Sequence, residues 1–345
     1  MYREHTVGVV VPAYNEEGFV GDVVDTVPAY VDRVYPVDDG SRDGTWREIR
    51  DRVDGPVDRD GADPVPAEPS ADSMTGGGET PVADGYGRIV PLRHETNRGV
   101  GAAVKTGYRR ALEDGCDIVA VMNGDGQMDP DVLDRLLDPI VDGRADYAKG
   151  DRLQSRQTCA EMSTWRLFGN GLLTMLTKGA SGYWRMTDSQ NGYTAIAAET
   201  LDQVDLDDLY DDYGFLNDLL TALNVRSARV ANVPHTAVYG DERSDIAYST
   251  FVPSLSLLLA RNFGRRLLLR YLVFDFHPLV FCYPLGVAGL LVGGLSLVAA
   301  AGPLDGGRAL LGGLLAALSF LVGAFVLLVA VVLDVHENDP LEVEP

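Results

Sequence analysis

The chain predicts an α/β domain, a mainly parallel sheet with helices on both faces, followed by interfacial helices and two C-terminal transmembrane helices. Three observations carry this expectation. Between Thr6 and about Gly150, short apolar runs alternate with helix-period segments, and continuous apolar strands separated by helices belong to a sheet buried on both faces. Leu279 to Ala301 and Ala309 to Leu333 are uncharged apolar runs of 23 and 25 residues, each long enough for a hydrocarbon core about 30 Å thick. Ahead of them, Arg261, Arg265, Arg266 and Arg270 interleave with "SLSLLLA" and "LLLRYLVF", a pattern that suits helices lying in the interface on the cytoplasmic side of a membrane.

The elements follow in order. "TVGVVVP" is the first strand, stopped by Pro12, which cannot donate to a ladder. Gly18 to Val31 is helical, "RVYPVDD" is a second strand and Thr45 to Val53 a second helix. "RIVPLR", "VGAAVKTGYRRALED", "DIVAVMN" and "PDVLDRLLDPIVDG" continue the alternation. Asp54 to Gly87 breaks it: seven Gly, five Pro, eight acids and a single Arg leave too little apolar surface to offset the cost of ordering, so a disordered acidic insertion is expected there. The predicted organisation is 1–245 for the α/β domain (interrupted at 54–87), 246–276 for interfacial helices, 277–335 for the two spans and 336–345 for an acidic cytoplasmic tail. The opening "MYREHTVGVVVPAYNEE" enters a strand-like run rather than a signal sequence, which places the domain in the cytoplasm, against the cell membrane.

The balance of 29 basic against 51 acidic residues, net −22, argues against nucleic acid as a partner. With only Lys105, Lys149 and Lys178 as lysines, it suggests a protein from a high-salt organism, where screening shortens self-repulsion. Cys116, Cys159 and Cys282 are far apart and form neither a zinc pattern nor a disulfide framework.

In a sheet of this kind, ligands sit beyond the carboxyl ends of the strands, and three such ends carry polar groups. "VVVPAYNEEGFV" offers the aromatic face and hydroxyl of Tyr14 and the carboxylate of Glu16. In "PVDDGSRDGT", Asp38 and Asp39 either build a turn and cap or accept hydrogen bonds from a nucleotide base. In "VAVMNGDGQMDP", Asp125 and Gln127 alternate with glycines, which lets the backbone approach closely and both side chains converge on one hard cation. Mg²⁺ takes one or two protein oxygens and fills its shell with diphosphate oxygens and water. Asp129 and Pro130 are explained as a helix cap and first helical residue; Asp125 and Gln127 are not.

"VVVPAYNEE", "VDDGSRDGT", "NRGVGAAVKTGYRRA" and "NGDGQMDP", in that order, resemble the family 2 glycosyltransferases with a GT-A fold, over roughly Val7 to Glu242. The nearest subgroup is the dolichyl-phosphate mannose or glucose synthases and related polyprenyl-phosphate glycosyltransferases. The resemblance implies that Pro12, Tyr14, Glu16, Asp39, Asn123 and Gly124 line the nucleotide-sugar pocket, and that Asp125 and Gln127 hold Mg²⁺ or Mn²⁺. It departs at Asn123, where the family usually has the first Asp of a D-x-D motif; Asn keeps an oxygen acceptor and loses a charge. Arg152 and Arg166 match the subgroup's phosphate-binding arginines, with Asn170 one turn beyond, and the guanidinium fork suits phosphate. "DSQNGYTAI" resembles the acceptor-side loop, and Asn217 with Asp218 stands where relatives carry an acidic pair. Asp218 would be the base, or only an orienting group, since a phosphate monoester is already anionic at neutral pH. Glu242 and Arg243 would close over the nucleotide, and His235 is expected to be structural.

The implied reaction is inverting transfer of a sugar from a UDP- or GDP-linked donor to a membrane polyprenyl (dolichyl) phosphate, supplying lipid-linked sugar for glycan assembly. Paired spans also offer a surface for oligomer formation. The rivals are a processive polysaccharide synthase, against which the missing QxxRW signature speaks, a transferase with another acceptor, and a non-catalytic nucleotide-sugar-binding scaffold, favoured only by Asn123.

Overall fold

The structure, a computed structural model, describes residues 1–54, 87–152, 164–235, 248–300 and 306–345. The expected acidic insertion, apart from its two ends, and Glu242 and Arg243 lie outside these residues. The first strand, β1 (Val7–Ala13), is buried along its whole length, with Val7, Val9 and Val11 facing one layer and Val10 the other. Helix α1 (Val20–Thr26) stops short of the expected Val31, because Pro28 pushes Val27 into extended geometry. After β2 (Arg33–Asp38) and α2 (Thr45–Asp54) comes β3, reduced to Leu92–Arg93. Pro91 interrupts "RIVPLR", and Ile89 makes only an isolated bridge to Val34. Then follow α3 (Val100–Glu113), β4 (Ile118–Val121), α4 (Leu133–Val141) and β5 (Tyr147–Asp151).

The second half supplies α5 (Thr164–Ser181), β6 (Thr194–Ala197), α6 (Ala198–Asp202), α7 (Phe215–Val225) and β7 (Val230–Pro234). Among the described residues the strands form one sheet in the order β3-β2-β1-β4-β6-β5-β7, extended at β7 by a further strand from the C-terminus. Only β6 runs antiparallel to its neighbours, β4 and β5. One face is covered by α1, α2 and α4, the other by α3 and α7. The expected mainly parallel sheet with helices on both faces is what forms. Because β6 is reversed, its start lies beside the carboxyl ends of β4 and β5. The start of β6 therefore joins the carboxyl ends of the parallel strands at one sheet edge.

Beyond the sheet, α8 (Tyr248–Leu268) continues into a π-helical stretch, Leu269–Phe274, that leaves Leu272, Val273 and Phe274 exposed. Helices α9 (Leu279–Ala300) and α10 (Gly306–Asn338) are long and apolar enough to cross a membrane. They pack through small residues, a Cβ on Gly289 falling 2.8 Å from Gly323 Cα. The expected acidic tail is not a free tail: after α10 the chain turns and Glu342–Val343 forms β8, parallel to β7. Both Glu342 oxygens accept from the Arg185 N–H at 2.8 Å. Acidity alone suggests a solvated tail, but β7 had an open edge and Arg185 an unpaired backbone donor for it to meet.

Candidate active site

The tips of β1, β2 and β4 are stitched together by backbone and short side chains. Gly124 N–H donates to Pro12 O at 3.1 Å, and a Cβ on Gly124 would lie 3.1 Å from that oxygen, so the two loops touch because neither carries bulk there. Asn15, in left-handed geometry with φ +56°, donates through its N–H to Ser41 Oγ and accepts from Arg42 N–H. Glu16 N–H donates to Thr45 Oγ1 at 2.8 Å. Tyr14, at 38% exposure, stands open beside this seam.

The two acids ending β2 turn inward. Asp38 accepts from Ser41 N–H at 2.9 Å and lies 2.9 Å from Arg93 Nε. Asp39, 2% exposed, receives Arg98 N–H at 3.0 Å, Gly99 N–H at 2.8 Å and the His94 ring at 2.6 Å. The helix start at α3 leaves N–H groups without intrahelical partners, and Asp39 supplies them. Asp39 thus ties down the loop 94–99, which is the turn-and-cap role that its place after β2 allowed.

The β4 tip differs. Asp125 accepts from Gln127 N–H at 3.1 Å across Gly126, whose φ is +74°. Burial pushes the Asp125 carboxyl above the usual range, and the Gln127 N–H, the charge of Arg152 and the Asn123 amide pull it only partly back. The oxygen-rich donor set fits a hard divalent cation: one carboxylate short of positive charge, with the amides of Asn123 and Gln127 flanking it in sequence. Among the described residues no group of three or more His, Cys, Asp or Glu makes a self-sufficient metal site, so such a cation would complete its shell from substrate oxygens and water.

Opposite lies a cluster that sequence reasoning only half found. Arg152, directly after β5, donates through Nε and Nη2 to the two oxygens of Asp188 at 2.8 and 3.2 Å, and its own N–H donates to Asp188 Oδ2. Burial alone would lift the Asp188 carboxyl, but the Arg152 fork outweighs it and holds the group below the usual range. Lys149, fully buried, donates to Asn191 O; burial pushes its ammonium down to about 7. Asn191 meets His235 Nε2 at 2.7 Å, and His235 sits edge-on to Tyr193. The available signal was a lysine at the centre of the short strand "YAKGD". Arg166 and Asn170 fall in the first two turns of α5, but their side chains lie outside the described residues.

Asp218 is 2% exposed in the first turn of α7, where it accepts from Tyr210 N–H at 2.9 Å and lies 3.9 Å from Arg265. Burial pushes its carboxyl up, while Arg265 and Arg261 on α8 oppose this. It lines a cavity of about 320 Å³ with Asp208, Tyr210, Asp211 and Arg261. The cavity wall rests on α3: Ala102 N–H donates to Asp211 O at 2.9 Å, and a Cβ on Gly99 would fall 2.5 Å from that oxygen.

The three-layer α/β domain thus gathers Asp125, Arg152 and Asp188 beside one sheet edge. The model of the family described as glycosyl transferase family 2 matches residues 8–60 and 80–197, and the chain belongs to that family and is a glycosyltransferase. It is 26% identical over 67% of its length to a UDP-N-acetylglucosamine–dolichyl-phosphate N-acetylglucosaminyltransferase of Methanococcus voltae, covering 85% of that protein. It is 29% identical to an undecaprenyl-phosphate mannosyltransferase of Micrococcus luteus, over 66% of this chain and 82% of that one. Its fold matches glucosyl-3-phosphoglycerate synthase from Mycobacterium tuberculosis, solved with Mn²⁺, UDP and glucosyl-3-phosphoglycerate, at a TM-score of 0.50 and 19% identity, over 76% of this chain and 80% of that one.

Proposed function

We propose that this protein transfers a sugar from a nucleotide diphosphate to a polyprenyl (dolichyl) phosphate held in the membrane, with inversion at the anomeric carbon. The observation that carries the reading is the fixed Arg152–Asp188 pair beside Asp125, an anion site and a cation site together, in a chain bearing two apolar helices. The named activities of the two relatives support the acceptor class. UDP is the first donor nucleotide to test, since one relative is named for it and the solved fold neighbour binds it.

In this reading Asp125, with Gln127 and Asn123, would hold Mg²⁺ or Mn²⁺, which neutralises the departing diphosphate. Arg152 orients the acceptor phosphate, fixed by Asp188 so that little freedom is lost on binding. A phosphate oxygen attacks the anomeric carbon as the bond to the diphosphate oxygen breaks. The acceptor is already anionic near neutral pH, so Asp218, its proton affinity raised by burial, orients the sugar or acceptor rather than removing a proton. Tyr14 and Glu16 border the nucleotide, and Asp39 sets the loop that shapes its pocket.

The test is incubation of the purified protein with labelled UDP- and GDP-sugars and polyprenyl phosphate. An organic-soluble, mild-acid-labile product is expected. A chelator should abolish its formation and Mg²⁺ or Mn²⁺ restore it. Asp125→Ala should lower kcat by about 100- to 1000-fold. Full activity of that variant in chelator would remove the metal from the reading.

A further inference from the structure

The two helices that carry acceptor-side residues both end on the membrane hairpin. Arg266 of α8 is completely buried, and its guanidinium makes five hydrogen bonds, the longest from Nη1 to the Tyr271 hydroxyl at 3.4 Å. Nε donates to Ala180 O at 3.1 Å and Nη2 to Gly179 O at 3.0 Å, the open carbonyls at the end of α5. Nη1 and Nη2 also grip Asp334 of α10, at 2.8 and 2.6 Å. Asp334, equally buried, accepts from Tyr271 and Tyr283 hydroxyls at 2.8 and 3.1 Å and from Asn338 at 2.9 Å. The end of α7 joins the same node, where Asn224 Nδ2 donates to Asn338 Oδ1 at 2.8 Å. Gly182, with φ +84°, closes α5 where a Cβ would fall 2.6 Å from Arg266 Nη1.

Away from this junction the same two helices reach toward the site. Helix α7 carries Asp218, and α5 is tied to the Arg152 clamp, since Thr174 Oγ1 donates to Thr187 O at 3.2 Å, one residue before Asp188. A buried ion pair of this kind contributes little net stability, and its attested use is to fix register. We propose that Arg266 and Asp334 are positioning residues that set the height of the acceptor-phosphate site over the bilayer by locking α5 and α7 to the membrane hairpin. This rests on the proposed lipid-phosphate acceptor. A phosphate on a bilayer-held chain arrives at one fixed depth, so the site must stand at that depth. A phosphate on a short water-soluble prenyl chain approaches freely.

The test compares long-chain polyprenyl phosphate in nanodiscs with a short water-soluble prenyl phosphate, using full-length wild type, Arg266→Lys and Asp334→Asn. Lysine keeps the charge but cannot hold Asp334 and both carbonyls at once. Each variant should raise KM for the long acceptor about tenfold, while KM for the nucleotide sugar and kcat/KM for the short acceptor stay at wild-type values. Those two unchanged readings also show that the domain is folded. Equal losses with both acceptors, or no loss with either, would overturn the proposal. If wild type glycosylates neither acceptor, the functional reading itself falls and this inference with it.

Discussion

The sheet-edge crevice and the membrane junction are both built around arginine and aspartate, and they use the pair in opposite ways. At the junction, Arg266 and Asp334 are dry and saturated, each hydrogen-bonding valence filled by its partner, by helix-end carbonyls or by tyrosine and asparagine. At the crevice, burial raises the Asp125 carboxyl, and the nearby Arg152, turned onto Asp188, offsets this only in part. The same chemistry therefore separates into two jobs. A saturated buried pair specifies how parts fit together, whereas in the proposed reading the under-neutralised carboxylate is where the divalent cation would sit.

The sharpest way to break this comparison is to strip one partner at the junction. Arg266→Met leaves Asp334 buried and unpaired and should cost about 3–5 kcal/mol of stability, with most of it recovered in Arg266→Met/Asp334→Leu. Denaturant unfolding in detergent checks both, and a single variant as stable as wild type would show the junction is not saturated. At the crevice, Asp188→Ala frees the Arg152 fork and should lower kcat/KM by about 10- to 100-fold, mainly through acceptor KM. Arg152→Ala added to it should then cost little more, since the two act as a unit.

Smaller effects test how far burial alone perturbs charge. Burial pushes the Lys149 ammonium down to about 7 in the folded protein, from 10.5 in the unfolded chain. Between these values the unfolded chain binds more protons, so stability rises with pH across the window and the full penalty is present below it. The thermal midpoint should climb from neutral pH toward the lysine range, and Lys149→Met should flatten that climb. The smallest effect is expected for Asn123→Asp, which replaces a group favouring the Asp125 anion with a second carboxylate beside it. The divalent concentration giving half-maximal activity should fall by about threefold. An unchanged metal requirement would place residue 123 away from the cation.

Much of this was legible in the chain. Period alone marked β1, β4, α3 and both apolar helices, since a strand or helix buried on one or both faces must repeat its apolar residues at the backbone's own spacing. The glycines around Asp125 announced a close backbone approach, and Gly124 against Pro12 makes one. At Asp39 the neighbouring residues left a turn or a contact to a base open, and nothing local announced the donors that come from residues 94, 98 and 99. Asp188 looked like part of a loop, although it fixes the arginine 36 positions earlier.

What the sequence determined by itself was local: the order of strands and helices, the apolar lengths, and which loop tips carry oxygen donors, because propensity and periodicity act over a few residues. Which acids stay free, which arginine is clamped, and whether the last residues dangle or join the sheet depended on partners far along the chain. Val230 meets Glu342, and Arg266 meets both Gly179 and Asp334. Burial sets the energy of a charge, and burial exists only once distant segments have packed.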